Sequence, residues 1–86
     1  MSRLFDVTPE FRQSLVAVWN SIGHDLVNVD GIESNADVVD MCINSGCFEI
    51  YGGEDAIGHM LEFRRLMMAY GYQACIECIA EQVQLW

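Results

Sequence analysis

The chain contains no lysine, and Arg3, Arg12, Arg64 and Arg65 are its only fixed cations. Thirteen Asp and Glu stand against them, for a formal charge of −9 in 86 residues. Direct binding to DNA or RNA rests on a basic face that neutralises phosphates, so this composition argues against nucleic acid as a ligand. No apolar run approaches the ~20 residues of a membrane-spanning helix. The opening Met-Ser-Arg-Leu-Phe-Asp-Val lacks the apolar centre of a signal peptide. The expectation is a cytoplasmic protein without membrane contact. With one proline and no repeat or low-complexity stretch, nothing divides the chain, and residues 1–86 read as a single domain.

Apolar residues make up 52% of the chain and charged residues 20%, a globular composition despite the acidity. A chain this short buries only roughly 60–65% of the surface its unfolded form exposes. Part of its aromatic and aliphatic surplus is therefore expected on the outside of a monomer, which points to a homo-oligomer or a protein partner. The anchors expected for such an interface are Trp19, Phe48, Tyr51, Met67, Tyr70, Tyr72 and Trp86.

Periodicity predicts an all-α fold, a compact four-helix array with short connections. Thr8 caps a first helix with Pro9 at its first position, and Phe11, Leu15, Val18 and Ile22 make one stripe that Trp19 widens. Gly23 stops it, and His24 follows at the negative end of the helix dipole. Residues 24–34 have no period, and Asp30-Gly31 marks a turn. A second helix spans about Asn35 to Ser45, with Val38, Met41, Cys42 and Ser45 inward and Asp37, Asp40 and Asn44 outward. Cys47 to Tyr51 reads as an extended link or brief strand. A third helix, about Glu54 to Tyr70, has two adjacent apolar rows: Ala56, Met60, Phe63, Met67, Tyr70 and Ile57, Leu61, Met68. Asp55, His59, Glu62 and Arg65 are placed opposite. The fourth helix, about Tyr72 to Leu85, turns Cys75, Ile76, Ile79 and Val83 inward. The short corner at Gly71 folds the last two helices into an antiparallel hairpin.

The four cysteines Cys42, Cys47, Cys75 and Cys78 are the residues with metal-binding chemistry, and a four-thiolate zinc site is the reading to weigh. Cys42 and Cys75 fall on apolar stripes, where a thiol is an ordinary small core residue, so reduced core thiols are expected and no metal or other cofactor. His59 is one helical turn from Asp55, the spacing of an acid–base pair. No nucleophile accompanies it, and a solvated surface pair is the simpler reading. No catalytic constellation stands in the sequence, and the expectation is not an enzyme.

Charge is segregated. Residues 13–63 hold nine acids (Asp25, Asp30, Glu33, Asp37, Asp40, Glu49, Glu54, Asp55 and Glu62) and no Lys or Arg. Such a belt keeps an apolar domain soluble, docks a basic protein surface, or imitates nucleic-acid phosphates inside a basic channel. Small size, acidity and the lack of catalytic residues resemble phage or mobile-element proteins that bind and block a host factor. The leading expectation is a protein-binding inhibitor of a basic, nucleic-acid-processing partner. Asp37, Asp40, Glu49, Glu54, Asp55 and Glu62 are its partner-binding residues. The alternative is a structural or small-ligand-sequestering helical homo-oligomer.

Overall fold

A computed structural model describes residues 5–23 and 32–86. The expectations for His24, Asp25 and the Asp30-Gly31 turn lie outside the described residues. Among the described residues five helices run in the order α1 (Pro9–Ile22), α2 (Asn35–Asn44), α3 (Phe48–Tyr51), α4 (Ala56–Tyr70) and α5 (Tyr72–Gln82). The fold is all-α.

Each long helix starts and stops on identifiable chemistry. The Thr8 side chain accepts from the Phe11 amide at 3.1 Å, and Pro9 takes the position where a missing N–H costs nothing. Ser34 opens α2 with a reciprocal capping box. Its hydroxyl accepts from the Asp37 amide while the Asp37 carboxylate accepts from the Ser34 amide. Gly71 ends α4 at φ 92°, a left-handed conformation that disfavours any residue with a Cβ. It donates to the Met67 carbonyl at 2.7 Å, and α5 starts at the next residue. The two helices pack against each other, with the Phe63 and Tyr72 rings edge to face at 6.0 Å.

The segment from Cys47 to Tyr51, expected as an extended link or strand, is instead the short helix α3. A strand with no neighbour leaves its backbone groups unpaired, whereas one helical turn pairs Tyr51 and Gly52 N–H with the Cys47 and Phe48 carbonyls. This turn drives Phe48 into the core. Gly52 then approaches so closely that an added Cβ would lie 2.4 Å from the Phe48 carbonyl oxygen.

The core is one cluster drawn from all five helices, centred on Leu15, Val18, Val38, Val39, Cys42, Phe48, Cys75, Ile79 and Val83. Two side-chain amides tie the chain ends to it. Asn35 donates to the Ala80 and Val83 carbonyls and accepts from the Leu85 amide, holding the segment after α5 against the start of α2. Gln82 accepts from the Val7 amide at 2.7 Å and donates to the Phe5 carbonyl at 2.8 Å, holding the segment before α1 against α5.

Helix α4 is rotated from its expected setting. Ala56, Phe63 and Leu66 are buried, while Ile57, Leu61 and Met68 are 69%, 57% and 81% exposed. Leu66, nine residues after Ile57, lies on the opposite side of a 3.6-residue helix. Of the two adjacent rows expected to face inward, the first meets the core through Ala56 and Phe63 with Met60 and Met67 packed beside them, and the second is left outside. The interior supplied by Phe11 and Phe48 takes the His59 and Leu66 side.

Candidate protein-binding face

Ser14 is the one buried polar residue among the described residues, and it organises the site. It lies on the inner stripe of α1, three residues after Phe11 and four before Val18. Its hydroxyl is 2.9 Å from the Gly52 carbonyl oxygen and 2.6 Å from Nδ1 of His59. A serine has one proton to donate, and a carbonyl can only accept. The hydroxyl therefore donates to Gly52, and Nδ1–H of His59 donates to the Ser14 oxygen. The imidazole packs against two rings that also touch each other, 5.6 Å from Phe11 and 6.4 Å from Phe48. His59 thus faces inward, not outward as expected, and its ring partner is Ser14 and not Asp55. A polar residue on the apolar stripe of α1 was the available sequence signal for this contact.

This junction sets the start of α4 beside the start of α1. An open depression results, lined by Thr8, Glu10, Glu54, Asp55, Gly58 and His59. Glu10, Glu54 and Asp55 also line the adjoining cleft beneath Tyr51 and Gly52. A third cleft, with Phe5, Phe11 and Leu66 in its wall, adds Asp6 and Glu62. Arg12, Arg64 and Arg65 line none of the three. Carboxylates tolerate this crowding because Glu10 occupies the first turn of α1 and Asp55 the N-cap position of α4, where two positive helix ends converge.

Of the six acids expected to bind a partner, the structure brings Glu54 and Asp55 together, with Glu62 at the neighbouring cleft. Glu62 is engaged by Arg65, whose Nε lies 3.0 Å from Oε2, and this hydrogen bond holds its carboxyl below the usual value. Glu49 is exposed on α3. Asp37 and Asp40 line none of these clefts and belong to α2, which packs mainly on α5 and α1. The Asp37 carboxylate accepts the Glu33 and Ser34 amides, and the Glu33 bond leads in lowering its pKa. Asp40 accepts from Asn44 and from the Tyr72 hydroxyl. Burial, and then the bond to Asp40, push the Tyr72 phenol up to about 12. Asp6 and Glu10, which lie outside the 13–63 belt, join the face through folding alone.

The expected anchors also divide. Trp19 and Phe48 are 3% and 1% exposed, so they are core residues and not available as surface anchors. Helix α3 buries Phe48, and the wide inner stripe of α1 takes Trp19. Met67 and Tyr72 are half-buried, and Tyr51, Tyr70 and Trp86 are exposed.

All four cysteines are free thiols, with Cys42, Cys75 and Cys78 buried and Cys47 half-buried. Burial, with Cys47 nearby, pushes the Cys42 thiol up to about 12, and burial raises Cys75 as well. Among the described residues no group of three or more His, Cys, Asp or Glu is placed to hold a metal ion. No helix among them is long and apolar enough to cross a membrane. Comparison with protein-family models, curated proteins and solved structures finds no match to the chain.

Proposed function

We propose that the chain is a non-enzymatic protein-binding protein that receives Arg or Lys side chains of a basic partner in the depression between the starts of α1 and α4, and so blocks a surface the partner uses for nucleic acid. The observation that carries this reading is the convergence of Glu10, Glu54 and Asp55 on one open depression that none of the described arginines lines. Asp6 and Glu62 extend it along the adjoining cleft.

The chemistry of the depression favours docking over turnover. Ser14, its one neighbouring hydroxyl from the helix interior, is buried, and its proton is committed to the Gly52 carbonyl. Activation of a serine needs the opposite polarity, with the imidazole accepting that proton. The depression, about 550 Å³, is wide open to solvent instead of enclosing a ligand, and the two adjoining clefts, about 210 Å³ each, fall below the ~300 Å³ at which small-molecule sites begin. A guanidinium or ammonium group on a partner needs no enclosed cavity. It needs ionised carboxylates at a wetted surface, which act chiefly on association rate.

Capture from a cell lysate by the immobilised chain tests the proposal. Proteins with strongly basic surfaces are expected to bind at about 50 mM salt and to be released by about 500 mM, as screening shortens the Debye length. The Glu10→Gln, Glu54→Gln, Asp55→Asn variant is expected to lose them. Equal capture by wild type and variant would overturn the reading.

A further inference from the structure

Beside the acidic depression, a narrower cleft runs between the segment before α1 and one side of α4. His59, Glu62 and Leu66 follow steps of three and four on α4, a single stripe that makes one wall. Phe5, Val7 and Thr8 make the other. Gln82 fixes that second wall, since its side-chain amide accepts from the Val7 amide and donates to the Phe5 carbonyl. Phe11 and Leu66 are only 5% and 4% exposed, and both line the cleft. The cleft is thus preformed, and an occupant does not have to order it. Apolar surface held open in this way favours an apolar group that displaces its water.

Size and position identify the occupant. At about 210 Å³ the cleft is smaller than the ~300 Å³ of a small-molecule site, and it has room for one aliphatic side chain. It shares Thr8 and His59 with the acidic depression, so the two concavities are separated by one layer of side chains. A polypeptide that places a cation among Glu10, Glu54 and Asp55 therefore brings a neighbouring side chain to the cleft. The cleft does not call for a second cation, because Glu62 is already engaged by Arg65, with Nε 3.0 Å from Oε2.

We infer that the cleft takes a leucine or methionine side chain of the basic partner, from a residue next to the Arg or Lys that the depression receives. The inference rests on the docking reading above, and adds that the partner is selected by an apolar side chain beside a cation and not by charge alone. Charge steers the encounter, while cover of Phe5, Phe11 and Leu66 slows release. Burial of one such side chain, less the cost of ordering it, strengthens binding about five- to tenfold.

Two synthetic peptides, acetyl-Arg-Gly-Leu-Gly-Arg-amide and acetyl-Arg-Gly-Ser-Gly-Arg-amide, test this. Alternate residues of an extended segment point the same way, so each peptide offers its central side chain beside two cations. Each is titrated into the full chain, followed by NMR, at about 50 mM and about 300 mM salt. Both are expected to bind more weakly at the higher salt. The leucine peptide is expected to bind about five- to tenfold tighter at either, because apolar cover is not screened. It alone shifts the Leu66 methyl and Phe5 ring signals. Phe5→Ala is expected to bring the ratio of the two affinities towards one while leaving the serine peptide's affinity unchanged. Equal affinities for wild type overturn the inference and leave the docking reading standing. A leucine advantage whose shifts fall on Ile57 and Leu61 overturns it equally, since the anchor then sits elsewhere on α4. Failure of both peptides to bind at low salt, up to about 10 mM peptide, overturns the inference and the docking reading together.

Discussion

Ser14 and His59 stand 2.6 Å apart across 45 residues of sequence, and their contact joins the start of α1 to the start of α4. The same hydroxyl donates to the Gly52 carbonyl, which fixes the corner between α3 and α4. Ser14→Ala removes the partner of both groups inside a nearly closed interior. It is expected to cost about 1–3 kcal/mol, read as a lower midpoint in urea with an unchanged slope. A midpoint equal to wild type would show that the contact does not organise the site.

Titration divides the stabilising groups by sign. Asp37 and Glu62 have folded pKa values below their ordinary ones, led by the Glu33 amide bond and the Arg65 bond respectively. Their contribution is present above the ordinary carboxylate range near pH 4 and is lost as pH falls through the folded values. Tyr72 is raised from 10.0 to about 12, so its contribution is complete below pH 10.0 and is lost as pH rises towards 12. Melting followed against pH is expected to show both limbs. Asp37→Asn should flatten the acid one and Tyr72→Phe the alkaline one. Because Asp37 serves the α2 cap, a change there reports on stability before it reports on partner binding.

The thiols are expected to differ in reactivity. Cys42 is buried and raised to about 12, while Cys47 is half-buried. Thiolate is the reactive form. A disulfide reagent at neutral pH is therefore expected to label Cys47 first and Cys42 only as fast as the protein opens, with peptide mapping to assign the sites. Labelling of Cys42 at the rate of Cys47 would contradict the burial assigned to it.

Aromatic residues in the core and at the surface are separable by mutation. Phe48→Ala opens a cavity beneath Phe11 and His59 and is expected to cost about 3–5 kcal/mol. Trp86→Ala, at a half-exposed chain end, is expected to change stability by less than about 0.5 kcal/mol. Chemical denaturation of the two variants provides the comparison.

Elements governed by local chemistry were legible in the sequence. Thr8, Pro9, Ser34 and Gly71 carry cap and turn signals that act over a few residues, and the boundaries of the four expected helices followed within two or three positions. The inward row of α5 was legible because its other side is polar throughout, from Gln73 to Gln84. In α4 the apolar residues span a wide arc from Leu66 through Ala56 to Ile57, and only the interior built by α1 and α3 decides which part of it is buried. The site was half legible. Glu54 and Asp55 belong to the acidic middle by composition, but Glu10 reaches them, and Asp6 reaches Glu62, through contacts as distant in sequence as Ser14 to His59. Asp37 and Asp40 looked equivalent to them as charges. Their hydrogen bonds to the α2 cap and to Tyr72 give them structural work that charge counting does not register.

The electrostatic docking claim is tested most directly by association kinetics. A basic protein captured by the chain, once purified, is mixed with wild type and with the Glu10→Gln, Glu54→Gln, Asp55→Asn variant over a series of salt concentrations. The expected result is a wild-type association rate that falls steeply with salt, and a variant rate at least about tenfold lower at low salt with a shallow dependence. Equal rates with equal salt dependence would contradict the account, and would leave the acidic depression only a solubilising role.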